Sequence, residues 1–387
     1  MKEHKSKKYD MRIGIITMHR VQNFGSALQA YALQKKLFLE GFDNRIIDYL
    51  YSYSDYEPNF FEYLFNKIRF LGKVILNHPP CFSRFYYFRK KFLRTTLKEY
   101  TKNELSTGQP PKFDIYMTGS DQVWNCRFTN GDSNFLLKFA PKNAPRLAFG
   151  SSFASTELQE AYKPMYKEEL AKYNCIFVRE KSGIDIVTDL LGEKTWVDVV
   201  CDPTLLLEAK DYAPLAAKSK IKIEEKYILV YVLDYMFNPY PYIFNIVRKV
   251  KETLSYKVIY LGKNSIDQSD SSAIFLGNEA GPLEFLYLVK HASFVITTSF
   301  HGTAFATLFG IPLLAMVSHE KTSDDRIQTL LHALRQERSI VYFDSDVETE
   351  RIYSEEIITN EKTLKKYREK SATRLIDSIK SAYSGLG

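Results

Sequence analysis

Cysteine is scarce in this chain: four in 387 residues, Cys81, Cys126, Cys175 and Cys201. They show no pairwise metal-ligand spacing and no dense disulfide framework, so they read as reduced core thiols of a cytosolic protein. No apolar run approaches the length of a membrane span. The first ten residues are basic and polar with no apolar stretch behind them, which predicts a disordered lead-in rather than a signal peptide. Glycine-rich signatures are missing too: there is no GxGxxG, no repeat of short period and no low-complexity segment. Acid is absent from residues 65–98, where lysine and arginine alternate with aromatics. The plain reading of that stretch is a helical insertion with aromatics inward and basic residues in water. The sharper one is a patch against an anionic membrane surface or a lipid-linked substrate. No nucleic-acid motif accompanies it, so nucleic acid is not expected as a partner.

What is present is a strand–helix alternation that occurs twice. In the first half, strands are expected at 11–18, 44–49, 115–118, 146–150, 175–179 and 197–200, with helices after Gly25 and between Glu157 and Lys172. In the second half, strands are expected at 227–233, 257–261, 273–276, 294–297 and 313–316, with helices ending at Leu254 and spanning 282–291 and 303–309. This βαβ rhythm predicts an α/β protein of two Rossmann-like doubly wound domains facing across a cleft, with ligands beyond the strand ends. The expected layout is a lead-in at 1–10, a first domain at 11–207 with a helical insertion near 58–100, and a linker at 208–226. A second domain follows at 227–345, and then a C-terminal helical segment at 346–387, whose stripe is Leu364, Tyr367, Leu375 and Ile379.

Chemistry is expected at four polar loops. Residues 294–316 read as a strand, a polar tip with Ser299 and His301, then a helix opened by Gly302 and Thr303. A helix N-terminus there favours a phosphate or carboxylate, and the histidine can move a proton. Near the start, Asn23, Gly25 and Ser26 offer either a strand–helix turn capped by Ser26 or a second phosphate or hydroxyl contact. After the strand at 115–118, Ser120, Asp121, Gln122, Trp124 and Asn125 combine a carboxylate, amides and an indole, as a sugar site would. The alternative is Asp121 capping a turn with Trp124 in the core. Arg179, at a strand tip, can fork onto an anion or pair with Glu180 or another local acid. Asp202 reads as a turn cap, and 319–321 (His-Glu-Lys) as a further crevice segment.

Taken in order, NFGSALQ (23–29), GSDQVWN (119–125), VREKSG (178–183), DPTLLL (202–207) and TTSFHGTAFATLFGIP (297–312) resemble the polysaccharide pyruvyl transferase family along nearly the whole chain. The resemblance implies a GT-B-like fold and an enzyme that moves pyruvate from phosphoenolpyruvate onto a sugar of a cell-surface glycan as a ketal. It implies donor contacts from Arg179, His301 as the acid, and Asp121 as a weaker candidate for the base. Donor binding by Ser299, Gly302, Thr303, Ser26 and Gly25 is expected, and acceptor binding by Asn23, Ser120, Gln122 and Trp124. Neither a metal nor another cofactor is expected; phosphoenolpyruvate is the donor substrate and a sugar, free or lipid-linked, the acceptor. The protein is expected in the cytoplasm, with peripheral contact at the inner face of the membrane on the sharper reading of 65–98. Many family members carry arginine two residues before the histidine, where this chain has Ser299. Either another cation such as Arg20, Lys321 or Arg326 compensates, or the donor or its pose differs. Two other functions fit the same residues: a GT-B glycosyltransferase using a nucleotide sugar, and a non-catalytic glycan-binding protein of the same pathway.

Overall fold

The computed structural model describes residues 9–51, 80–262, 267, 270–277, 279–319 and 324–385. Most of the expected lead-in, residues 58–79 of the expected insertion, Glu320 and Lys321 lie outside these. The chain divides into two compact units, Met1–Leu206 with Lys370–Gly387, and Leu207–Glu369.

Unit 1 is built on a parallel sheet of strands β1 (Arg12–Ile16), β2 (Asp43–Tyr49), β3 (Thr95–Tyr100), β4 (Ile115–Thr118), β5 (Arg146–Ser151), β6 (Cys175–Val178) and β7 (Val197–Val199). Their order is β3-β2-β1-β4-β5-β6-β7. Ile13, Ile15 and Ile16 are buried without alternation, as a central parallel strand covered on both faces requires. Gly14 interrupts the run because a Cβ there would stand 2.3 Å from the Phe113 ring. Helix α1 (Phe24–Leu39) links β1 to β2 on one side, and the chain crosses back to β4 on the other. The switch point of the sheet therefore lies between β1 and β4, where polar loops at the carboxyl edge gather.

The expected insertion is helical only in part. Helix α2 (Pro80–Phe92) ends before Leu93, and residues 95–100 form β3, paired in parallel with β2. Threonines and Tyr100 suit a short edge strand, and Leu97 stands fully exposed on it. Helices α3 (Lys163–Leu170) and α4 (Lys181–Leu191) complete this unit together with the C-terminal part of the last helix.

Unit 2 repeats the pattern. Strands β8 (Tyr227–Tyr231), β9 (Lys257–Leu261), β10 (Ile274–Gly277), β11 (Phe294–Thr297), β12 (Leu313–Val317) and β13 (Ile340–Tyr342) are ordered β10-β9-β8-β11-β12-β13, all parallel. The expected linker at 208–226 carries helix α5 (Ala209–Ala216), which belongs to this unit; Tyr212, Leu215 and Ala216 are buried, and Tyr212 meets Phe305 edge-on at 5.2 Å. Helices α6 (Tyr242–Leu254), α7 (Pro282–His291), α8 (Phe300–Phe309) and α9 (Arg326–Ala333) follow. The last helix, α10 (Glu361–Ser384), is not a separate appendage: its residues from Lys370 onward count with unit 1. There Ser371 Oγ accepts from Cys201 N–H at 2.9 Å, and Arg374 pairs with Asp198. Leu375 and Ile379 are fully buried, worth roughly 1.5–3 kcal/mol each. The four cysteines are free thiols, three of them buried. No helix among the described residues is long and apolar enough to cross a membrane.

Candidate functional site

At the switch point of unit 1 the chain brings its separate motifs into one buried network. Asn23, not Ser26, caps α1: its Oδ1 accepts from the N–H groups of Gly25 at 2.9 Å and Ser26 at 3.2 Å. The expected contacts of Asn23 Oδ1 and Gly25 N–H with substrate are thus spent on the helix start. Ser26 is left to donate its hydroxyl to Asp121 Oδ2 across the β1–β4 boundary. Asp121 itself sits at φ +78°, a left-handed backbone costing roughly 1–3 kcal/mol for a residue with a side chain. It is held there by Ser152 N–H on its carbonyl (3.1 Å) and Gln122 N–H on Oδ1 (2.9 Å).

Arg179 projects from the tip of β6 and is 1% exposed. Its Nη1 donates to Asp202 Oδ2 at 2.8 Å and lies 3.5 Å from Ser120 Oγ; Nη2 is 3.9 Å from Asp121 Oδ1. The acid that meets Nη1 directly is therefore that of the DPT motif. Asp202 also accepts from Thr204 N–H (2.9 Å) and from the hydroxyls of Thr204 (2.7 Å) and Ser120 (2.8 Å). Its turn-capping role and its role as counter-ion coincide. Ser120, expected to meet the acceptor, is wholly buried, its one hydroxyl proton shared between Asp202 Oδ2 and the Gly150 carbonyl. Glu180 instead ties down the loop after β5, its Oε1 accepting from Phe153 N–H at 2.7 Å and Ala154 N–H at 3.2 Å.

Trp124 does not offer its ring to a sugar. It is fully buried, its centroid 5.2 Å from Phe153 and 6.1 Å from Tyr173, with Nε1 donating to the Phe135 carbonyl at 3.2 Å. An indole of that size gains more from the core than from a rim. Gln122 accepts from Asn125 Nδ2 (2.9 Å), and Asn125 caps the following turn through Arg127 N–H (3.0 Å).

One cluster escaped the sequence reading. His19, just beyond β1, is buried with Nε2 2.9 Å from Asp48 Oδ1 and Nδ1 3.0 Å from the Thr17 carbonyl. Burial pushes the imidazole below its ordinary value, against the pull of Asp48. Arg20 Nε also donates to Asp48 Oδ1, at 2.7 Å, and its Nη2 to Glu99 Oε1 at 2.8 Å. Burial alone would raise the Asp48 carboxyl, but the bonds from His19 and Arg20 outweigh it and hold the group well below the usual carboxylate range. A depressed folded-state value means that the stabilisation is complete above the ordinary carboxylate range and is lost as pH falls through the folded value. Asp48→Asn should therefore cost about 3 kcal/mol at neutral pH. In urea denaturation the gap from wild type should hold down to about pH 5 and narrow below about pH 4. A gap that closes between neutrality and pH 5 would contradict this account. The sequence signal was faint: an acid at the end of a buried strand with a histidine and an arginine after its neighbour.

In unit 2 the loop after β11 also lies at a switch point, between β8 and β11. Thr297 and Thr298 lash it to β8 through the carbonyls of Tyr231 and Leu233. Ser299 caps α8: its Oγ accepts from Gly302 N–H at 3.2 Å, and its carbonyl from Thr303 N–H at 2.9 Å and Thr303 Oγ1 at 3.0 Å. The amides of Gly302 and Thr303, expected to hold an anion, thus close onto Ser299. Gly302 is required by packing, since a Cβ would lie 2.5 Å from Thr297 Oγ1 and 3.2 Å from the Tyr231 ring. His301 occupies the first turn of α8, 6% exposed and edge-on to Phe300 at 5.2 Å. Arg326 lies 5.8 Å from the centroid of the neighbouring Phe300 ring and donates Nε to Asp324 at 2.6 Å. A pocket of about 30 Å³ there is lined by Thr298, Phe300, Asp324 and Arg326 among others. Of the cations weighed against Ser299, Arg326 is the one found next to the histidine turn. Arg20 is engaged in unit 1, and Lys321 lies outside the described residues. His319 pairs with Asp344 at 3.1 Å and stacks on Tyr342, on an exposed surface.

Two doubly wound parallel sheets, each with its polar loops at the switch point, define an α/β protein of the GT-B-like class. The family model for polysaccharide pyruvyl transferases matches residues 23–320, and the chain belongs to that family. No curated protein matches it. Among solved structures it resembles UDP-GlcNAc 2-epimerase from Methanocaldococcus jannaschii, at 14% identity and a TM-score of 0.54 over 96% of this chain and 100% of that one. The UDP-GlcNAc 2-epimerase from Neisseria meningitidis, bound to UDP-GlcNAc, is similar at 12% identity and a TM-score of 0.52, over 96% and 99%. Likeness at this level is one of fold.

Proposed function

We propose that the protein transfers pyruvate from phosphoenolpyruvate to a sugar of a cell-surface polysaccharide or its precursor, forming a ketal. Family membership over residues 23–320 carries this reading; His301 in the first turn of α8, whose Phe300 ring Arg326 approaches, supports it. In the proposed reaction His301 gives a proton to the methylene carbon of the donor, leaving an oxocarbenium-like centre at C2. A sugar hydroxyl adds there, and a second hydroxyl of the same acceptor closes the ring as the C2–O bond to phosphate breaks. One hydroxyl proton returns to His301, replacing the one now on the methyl group, and the other leaves on the departing phosphate. Arg326 supports the anionic donor on the His301 side, in place of the arginine that Ser299 does not supply. In unit 1, Asp121, held in a strained backbone and bonded to Ser26, is our candidate to take a hydroxyl proton. Arg179 contributes its charge beneath Asp121.

The test is phosphate release from phosphoenolpyruvate by the purified chain in the presence of pyranose acceptors, with the product checked by mass for a gain of one pyruvate ketal. Thermal stabilisation by UDP-sugars with none by phosphoenolpyruvate would favour a nucleotide-sugar transferase. Oligosaccharide binding without phosphate release would favour a non-catalytic glycan-binding protein.

A further inference from the structure

Helix α2 has an inner face that packs and an outer face that the fold leaves uncovered. On the inner side Phe85 stacks on Phe24 of α1 at 5.4 Å, and Phe88 meets Tyr31 edge-on at 6.1 Å. Arg89 also turns inward: its side chain is 12% exposed, with Nη1 3.7 Å from Asp48 Oδ1. The outer face is the row Ser83, Tyr86, Tyr87, Lys90 and Lys91, all exposed and recurring at the three- and four-residue spacing of one helix side. A face that meets only water usually interleaves both signs of charge; this one holds two tyrosines, two lysines and no acid. Neither lysine pairs with an acid among the described residues, and Lys90 Nζ instead lies 5.9 Å from the Tyr86 ring centroid.

The same character continues past the helix. The Phe38 ring, at the exposed end of α1, has the Arg94 guanidinium 5.9 Å and Lys35 Nζ 5.8 Å from its centroid, and Leu39 beside it is exposed as well. Arg94 pairs with Asp43 at 3.0 Å, but both side chains are exposed and water weakens such a pair. Three residues on, Leu97 stands bare on β3. Exposed rings and aliphatic side chains among cations complement an anionic lipid surface. Headgroup phosphates attract the lysines, and the tyrosines and Phe38 suit the boundary between headgroup and acyl chain. Leu39 and Leu97 favour lipid over nucleic acid, because an aliphatic side chain gives a base nothing to stack on. We infer that the outer face of α2, with Phe38 and Arg94 beside it, seats unit 1 on an anionic bilayer as a peripheral contact. Tyr86 also lines a small pocket with His19, Arg20 and Gln22, so this surface adjoins the loop after β1. Docking of this kind does not depend on the pyruvyl-transfer reading.

Cosedimentation of the full chain with lipid vesicles tests it. Mixed phosphatidylglycerol–phosphatidylcholine vesicles should pellet the protein at low salt and less of it at high salt, whereas phosphatidylcholine alone should not. Lys90→Gln/Lys91→Gln should weaken partitioning about tenfold or more, since each basic residue near such a surface contributes roughly fivefold. Tyr87→Ser should weaken it about threefold through the lost interfacial ring. Thermal midpoints near wild type would show the variants folded. Lys167→Gln/Lys194→Gln removes the same charge beside β6 and β7, at the other end of the sheet from β3, and should change partitioning less than about twofold. No pelleting of wild type by the mixed vesicles, or equal losses in the two lysine pairs, would overturn the surface. So would equal pelleting by phosphatidylcholine alone, since charge would then play no part. Tighter binding of a single-stranded oligonucleotide than of mixed vesicles, lost in Lys90→Gln/Lys91→Gln, would assign the face to nucleic acid and overturn the lipid inference.

Discussion

His301→Ala should lower phosphate release from phosphoenolpyruvate by at least about a hundredfold, the usual loss on removing a general acid. The expectation follows from placement. The imidazole is fixed in the first turn of α8 by the Ser299 cap behind it and the Phe300 ring beside it. Removal of the ring from a 6% exposed position should cost no more than about 1–3 kcal/mol, so the variant should remain folded. Turnover and the thermal midpoint measured on the same preparation separate the two effects. A folded variant that keeps near-wild-type turnover would remove His301 from the chemistry. A rise in KM with kcat preserved would reassign it to donor binding.

Much of the fold was legible because parallel strands buried on both faces announce themselves as short apolar runs, and these runs alternate with helical patterns. The strand at 115–118 and the helix at 282–291 are found as expected. β3 was not legible, since an edge strand of threonines and charged residues lacks that signature, and α5 read as a linker because its stretch is short of large apolar residues and rich in lysine and alanine. At the site, motif order identified which loops matter, but side-chain roles depended on contacts distant in sequence. Trp124 read equally as a rim or a core residue and Ser120 as an acceptor contact; both are interior, and their partners at Phe135, Phe153, Gly150 and Asp202 could not be read locally. Ser299 looked like a missing charge and serves as a helix cap, the task for which a short hydroxyl side chain is suited. His19 and Asp48 stand 29 positions apart and meet only because β1 and β2 are neighbours.

Arg179→Met should destabilise the protein by about 3–5 kcal/mol, because it leaves Asp202 buried without its guanidinium. For a protein of this size that corresponds to a fall in the melting midpoint of roughly 5 °C. The Ser120 and Thr204 hydroxyls and Thr204 N–H, which also bond Asp202, are neutral donors and carry no charge to replace it. The double variant Arg179→Met/Asp202→Asn removes both charges and should regain most of the stability, since a buried pair often only breaks even against neutral groups. Urea denaturation of the two single variants and the double gives the coupling energy directly. The double variant also separates structure from function at this position. If Arg179 acts on the donor through its charge beneath Asp121, the refolded double variant should still show much weakened phosphoenolpyruvate binding. If the arginine serves only to neutralise Asp202, donor affinity should return together with stability, and the role proposed for Arg179 in the reaction would be withdrawn.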